Sequence, residues 1–298
     1  MKIIVTGSGG FIGKPLVSDL RTAGHAVSRL VRREPGAADE IAWNPAAGTI
    51  DMAGLQGADA VFHLAGAGIG DHRWTDSYRQ EILDSRVHGT DLLASTLATL
   101  DRKPSVLVSA SAIGWYGDRG DEILDETAPQ GGGFLAEVTA AWEAAAEPAT
   151  DAGIRVVNPR TGIVLSKDGG ALRRLLPPFK LGAGGRTGSG NQWWSWITLD
   201  DEVRALTHLA LSSNLAGPVN LTAPNPVTNQ EFVGTLGSVL RRPAVFPTPS
   251  LALKAMLGSG MADALLFQSQ RVVPARLIED GFTFDSPALE GAMRSVLD

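Results

Sequence analysis

An apolar run, Lys2–Thr6, passes straight into three glycines spaced three apart, Gly7, Gly10 and Gly13, and then into a segment of helical periodicity. Few folds accept that order. Glycines there let the chain turn tightly, bring backbone N–H groups against an anion and allow a helix to pack close to a strand. The helix N-terminus adds positive potential. KIIVTGSGGFIG is therefore read as a dinucleotide-binding strand-turn-helix, with Gly7, Gly10, Phe11, Ile12 and Gly13 at the cofactor. The alternative is a glycine turn with no ligand.

The rest of the N-terminal half alternates short β-branched runs with longer amphipathic stretches, the pattern of a parallel sheet with crossover helices. Strands are expected at Lys2–Thr6, Ala26–Val31, Ala60–Leu64, Ser105–Ala110 and Arg155–Pro159, with helices after Gly13, after Thr75 and over Leu135–Asp151. After Thr161 the texture changes to a glycine-rich loop, three tryptophans (Trp193, Trp194, Trp196) and proline-punctuated segments. The expected fold is α/β, a doubly wound, Rossmann-like parallel sheet over residues 1–165, with a smaller C-terminal α+β substrate lobe over 166–298. The strand-like WSWITL and the helix after Asp200, near 194–215, are expected to return to the first sheet.

Composition removes several classes of function. There is no cysteine, so disulfides, thiolate metal sites and cysteine nucleophiles are absent, and the five histidines show no ligand spacing; no metal is expected. Charge is −6 and scattered, without the basic stripe that nucleic acid requires. No stretch is long and apolar enough for a membrane span or a signal core, so the chain reads as cytoplasmic with a small-molecule substrate.

An NAD-specific site places a carboxylate at the end of the second strand, against the ribose 2′-hydroxyl. Here SRLVRRE places Arg32 and Arg33 there. Guanidinium binds a 2′-phosphate bidentately where a carboxylate would repel it, so the pair points to NADP(H); two solvated surface arginines are the alternative.

The glycine spacing, together with DAVFHLAG at Asp59–Gly66, resembles the extended short-chain dehydrogenase/reductases. The resemblance implies that Leu64, Ala65 and Gly66 lie along the cofactor and that VLVSASAIGWYGD at Val106–Asp118 carries the active-site serine, here Ser111. Members of that superfamily use an Asn-Ser-Tyr-Lys set, in which the tyrosine of Tyr-x-x-x-Lys moves the proton. This chain has only two tyrosines; Ile82 follows Tyr78 and Gly120 follows Tyr116 four positions on, so the dyad is absent. Arg86 stands at the usual asparagine, and Leu135 and Thr139 at the tyrosine and lysine positions. These departures, with RWTDSYRQEILDSRVHGT, GSGNQWWSWITLDD, NLTAPNPVTNQEF and QRVVPARLIEDGF, resemble one atypical branch. It is labelled nucleoside-diphosphate-sugar epimerase-like and ends in a short domain of unknown function. That branch has Trp-Ile-His before its Asp pair, whereas Thr198 stands here, so no role for the histidine carries over.

Candidate catalytic groups are Ser111 as a hydrogen-bonding partner of a substrate oxygen, Tyr116 as a substitute acid, Arg86 as a fixed cation, and more weakly Glu137. Each has a structural alternative: a strand end, a core cap, a carboxylate partner for Arg86, a solvated side chain. Arg160, from NPRTG at the carboxyl edge of the sheet, is a cofactor or phosphate candidate. Gln192, Trp194 and Asn220 are substrate candidates, with Asn191, Trp193, Trp196 and Asn225 around them; interdomain packing and plain turns are the alternatives. Two functions follow from the resemblance. One is an NADP(H)-dependent oxidoreductase or epimerase acting on a hydroxylated substrate such as a nucleotide sugar; the other is an NADP(H)-binding sensor without turnover. The resemblance also implies a homodimer through the helices after Thr75 and Leu135.

Overall fold

The computed structural model describes residues 1–244 and 247–298. In chain order its strands are β1 (Lys2–Thr6), β2 (Ala26–Val31), β3 (Glu40–Asn44), β4 (Thr49–Ile50), β5 (Ala60–His63), β6 (Val106–Ser109), β7 (Ser111–Ala112), β8 (Ile123–Leu124), β9 (Arg155–Thr161), β10 (Ile163–Leu165), β11 (Trp193–Trp194), β12 (Trp196–Thr198), β13 (Gly217–Leu221), β14 (Val227–Thr228) and β15 (Arg271–Val272). The helices are α1 (Gly13–Thr22), α2 (Met52–Leu55), α3 (Asp76–Ala98), α4 (Phe134–Ala144), α5 (Glu147–Asp151), α6 (Gly170–Lys180), α7 (Leu199–Leu211), α8 (Asn229–Leu240), α9 (Ser250–Leu257), α10 (Ser259–Ala262), α11 (Ala275–Glu279) and α12 (Leu289–Leu297).

The large sheet runs β13-β9-β6-β5-β1-β2-β3-β4, with β7 continuing beside β9. Its pairings are parallel except for the β3–β4 edge. β5 and β6 are buried along their whole length, and β1 in all but its first residue. That is why they read as continuous apolar runs and not as alternating ones. Leu16 and Leu20 of α1 and Val203, Leu206 and Leu209 of α7 meet Val5, Phe62 and Val108 on one face. Leu93 and Leu97 of α3 and Ala149 of α5 meet Ile4, Val61 and Leu107 on the other.

After β10 the chain builds a second core from Leu172, Leu176 and Phe179 of α6, Phe232 and Leu236 of α8, and Met293 of α12, with Trp194 and Trp196 between them. Within this C-terminal stretch α7 and β13 go back to the large sheet, β13 as its edge strand beside β9.

Among the expected elements two differ by more than one residue at an end, and β3, β4 and β13 join the sheet where no strand was expected. The strand expected to stop at Pro159 runs on to Thr161. Proline cannot donate to a ladder, but β6 pairs as far as Val157 and β7 resumes at Arg160, so Pro159 falls where that neighbour is interrupted. The single helix expected over Leu135–Asp151 is two, because Pro148, in the first turn of α5, supplies no N–H to the turn before it. No single helix among the described residues is long and apolar enough to cross a membrane.

Candidate cofactor and active site

Parallel register brings Thr6, His63 and Ser109 level with one another, so the ends of β1, β5 and β6 open on one edge. Gly7 follows at φ 65°, and a Cβ there would lie 2.7 Å from the Leu64 carbonyl. A Cβ on Gly13 would lie 2.2 Å from the Gly7 oxygen, while Gly10 N–H donates to that oxygen at 2.9 Å. Gly7 is thus needed for the turn to close against Leu64, and Gly13 for α1 to begin where it does. No side chain caps α1; Lys14 N–H is used on Gly10 O and Pro15 has none, so the N–H groups of Phe11, Ile12 and Gly13, without an acceptor among the described residues, are the ones left to an anion. The side chains of Phe11 and Ile12 are half-buried and pack towards the core, the Phe11 ring lying against Gly169 and Gly170.

Thr6 Oγ1 ties the glycine turn to the next one. It accepts the N–H groups of Leu64 and Ala65 at 3.1 and 3.2 Å and lies 2.7 Å from His63 Nδ1. A hydroxyl that already accepts twice donates its one hydrogen to the imidazole, so the His63 proton sits on Nε2. His63 is fully buried, and that burial pushes its pKa down to about 4.

Both arginines after β2 are exposed, but they are not equivalent. Arg33 grips Glu40 with Nη1 at 2.8 Å and Nη2 at 2.5 Å; Arg29 Nη2 and Gly36 N–H also reach that carboxylate. Chiefly through Arg33, the Glu40 carboxyl is held below its usual range. Arg33 is therefore paired with Glu40 here, through a guanidinium that is 62% exposed. Arg32 has no ion-pair partner among the described residues.

Beyond β6, Ser111 is buried and donates to Glu143 Oε1 at 2.6 Å. Arg160, 2% exposed, clamps the same carboxylate through Nε at 2.8 Å and Nη2 at 2.9 Å. Its remaining Nη1 donates to Tyr116 Oη at 3.2 Å, and Tyr116 donates to Asn220 Oδ1 at 2.7 Å. Three expectations are corrected here. Arg160 is spent on a carboxylate and stacked 3.9 Å from the Trp115 ring, so it is not a free anion ligand. Tyr116 has no exposed surface, and burial raises its pKa, which unfits it as an acid at the cleft. Asn220 is fully buried, its amide donating to Val273 O, and so does not cover a substrate.

Glu143 was not among the sequence candidates. Leu135 and Thr139, expected at the tyrosine and lysine positions, both line the α4 face that a Cβ on Gly114 would touch. Glu143 is one further turn along that face, an i, i+4 signal available in the sequence. Glu137 is exposed on another face.

Arg86 of α3 is half-buried, with no carboxylate within ion-pair distance among the described residues. Its Nη1 donates to Ala67 O at 3.0 Å and Ile82 O at 3.1 Å, and its guanidinium lies 4.8 Å over the Trp142 ring. Burial pushes its pKa down to about 10.

The substrate candidates of the C-terminal half are also corrected. Gln192 is buried and its amide is used on Thr187 and on Leu266 O. Trp194 is buried edge-on against Phe232, and Trp196 is wholly enclosed. These groups hold the lobe together. Asn191 and Asn225 are exposed, and Trp193 bonds Asp121. Glu202, another group the sequence reading did not single out, is fully buried at the start of α7. It accepts from Thr161 at 2.8 Å, and burial raises it to about 8.

A family model described as the NAD dependent epimerase/dehydratase family matches residues 3–221, ending with β13, and a domain of unknown function (DUF1731) matches 248–296. The chain is 45% identical over 282 residues to the epimerase family protein Mb2239 of Mycobacterium bovis, covering 95% of this chain and 93% of that one. It is 35% identical over 300 residues to human epimerase family protein SDR39U1, all of both chains being covered. The crystal structure of the human protein with NADPH superposes with a TM-score of 0.91 at 34% identity, over 99% of each chain.

Proposed function

The chain belongs to the NAD dependent epimerase/dehydratase family, and on that premise we propose that it is an NADP(H)-dependent oxidoreductase or epimerase of the extended short-chain dehydrogenase/reductase type. Its substrate is hydroxylated, and its proton chemistry does without Tyr-x-x-x-Lys. The observation that carries this is the glycine cradle: Gly7 against Leu64, Gly13 against the Gly7 oxygen, and an uncapped α1. No side chain fits in those approaches, so backbone packs on backbone and the turn keeps the form in which its free N–H groups can meet a pyrophosphate. Arg32, without an ion-pair partner, is the group that would meet a 2′-phosphate, and the human relative crystallised with NADPH supports the same choice.

When bound, the nicotinamide supplies hydride exchange. The protein's part is positional. Ser111 has given its hydrogen to Glu143, so it offers a ligand only lone pairs and would receive a substrate hydroxyl. Arg86 supplies the uncompensated positive charge beside the Gly66 turn.

A second reading, a cofactor-binding sensor, is favoured by one observation. The chain of bonds from Ser111 through Glu143, Arg160 and Tyr116 to Asn220 is internally satisfied and ends on Val273 in the C-terminal region. Deuterium transfer between labelled NADPH and an added carbonyl compound separates the two, since a sensor exchanges none.

The reading is tested by titrating cofactor-stripped protein with NADPH and NADH, followed by tryptophan fluorescence. NADPH is expected to bind, and Arg32→Ala to weaken it about tenfold or more while leaving NADH unchanged. Failure of both cofactors to bind would overturn the proposal.

A further inference from the structure

Arg86 is a cation arranged for a ligand. Its Nη1 is held by Ala67 O and Ile82 O, and its flat face is laid on Trp142, so the plane of the guanidinium is fixed. What remains is the edge carrying Nε and Nη2. Neither atom has a partner among the described residues, and neither is sealed from solvent, in contrast to Arg79, whose Nε is enclosed. The other arginines buried near the sheet are spent: Arg160 on Glu143, and Arg155 on the carbonyls of Leu209, Ala210 and Leu215.

The turn after β5 is shaped around this group. A Cβ on Gly66 would stand 3.3 Å from Arg86 Cζ, so the absence of a side chain there keeps the guanidinium against the cleft. An Nε/Nη2 edge presents two parallel N–H donors, the geometry that matches the two oxygens of a carboxylate. Half-burial without a counter-ion is costly for a cation, and its lowered pKa expresses that cost. A bound oxyanion removes it.

We propose that Arg86 is a receptor for a carboxylate carried by the substrate, so that this cleft takes a hydroxylated acid. One uncompensated cation is neutralised by a monoanion, and the groups that hold Arg86 among the described residues are carbonyls and a ring, with no second cation among them to meet a dianion. The inference rests on the reading of the Gly66 turn as part of the cofactor cleft.

The test uses full-length protein labelled with 15N-arginine, following arginine Nε–Hε resonances during titration with sodium acetate and, separately, inorganic phosphate. Sodium chloride controls for ionic strength, and each titration is run with and without saturating NADPH. Arg86→Lys identifies the Arg86 signal by its loss; if that variant does not fold, Trp142→Phe identifies it by the altered ring current. Acetate is expected to shift the Arg86 resonance saturably, with or without NADPH, and to bind about tenfold more weakly to Arg86→Lys, because a point charge replaces a bidentate fork. A shift that only phosphate produces, or no saturable shift, overturns the proposal. So does an acetate response abolished by NADPH, which would hand Arg86 to a cofactor phosphate. If acetate binds but NADPH does not, the cofactor reading fails and the carboxylate site stands.

Discussion

Ser111 Oγ and Glu143 Oε1 lie 2.6 Å apart, joining the end of the sheet to α4. Arg160 balances the Glu143 charge from the other side, with side-chain exposures of 2% for the arginine and 13% for the glutamate. A buried pair of this kind adds little by existing, but removing one partner strands the other charge. Glu143→Gln is expected to lower unfolding stability by about 3 kcal/mol, read from urea unfolding. A loss below about 1 kcal/mol would mean that Arg160 finds another partner or reaches water.

Arg32 and Arg33 are adjacent but differently employed. Arg33→Ala removes a partly exposed ion pair from Glu40, which keeps Arg29. It is expected to cost less than about 1 kcal/mol and to leave NADPH affinity close to wild type, unlike Arg32→Ala. Equal losses of NADPH affinity in the two variants would show that Arg33 exchanges Glu40 for the 2′-phosphate.

His63 and Glu202 give stability an unusual dependence on pH. The buried imidazole stays neutral in the folded chain down to about 4, while the unfolded chain protonates below 6.5, so its contribution rises with pH across that window. Glu202 acts in the opposite sense: the folded chain keeps its proton up to about 8, whereas the unfolded chain loses it above 4.5, so stability falls as pH rises. The two slopes oppose each other up to 6.5, and above that Glu202 acts without His63. Stability is expected to fall between pH 6.5 and 8 by at most about 1.4 kcal/mol per unit. Glu126, also raised by burial, has the same sign, so the measurement is wild type minus Glu202→Gln. An identical slope in the two proteins excludes Glu202 as its source.

Tyr116→Phe separates the buried tyrosine from the cleft. It deprives Asn220 Oδ1 of a donor and Arg160 Nη1 of an acceptor. A stability loss of about 1–3 kcal/mol is expected, with NADPH affinity unchanged. A specific loss of hydride transfer at undiminished stability would restore Tyr116 as the acid.

The sheet and the cofactor turn could be read in the sequence because their physics is local. Burial on both faces makes β1, β5 and β6 continuous apolar runs, and the contacts of Gly7 and Gly13 require the absence of a side chain. That neither tyrosine is followed by a lysine four positions on is a property of the residue order itself. Which polar groups are spent is not. Arg33 meets Glu40 seven residues on, Arg160 meets Glu143 seventeen residues back, and Tyr116 meets Asn220 across 104 residues. A side chain's type states what it can bond, but its free valence depends on partners that only the folded chain brings within reach. Thus residue order determined the dinucleotide fold and its glycine turn. Tertiary structure decided that Arg160, Tyr116, Gln192 and Asn220 are internally committed, that Arg33 meets Glu40 at the surface, and that Arg86 keeps an open edge among the described residues.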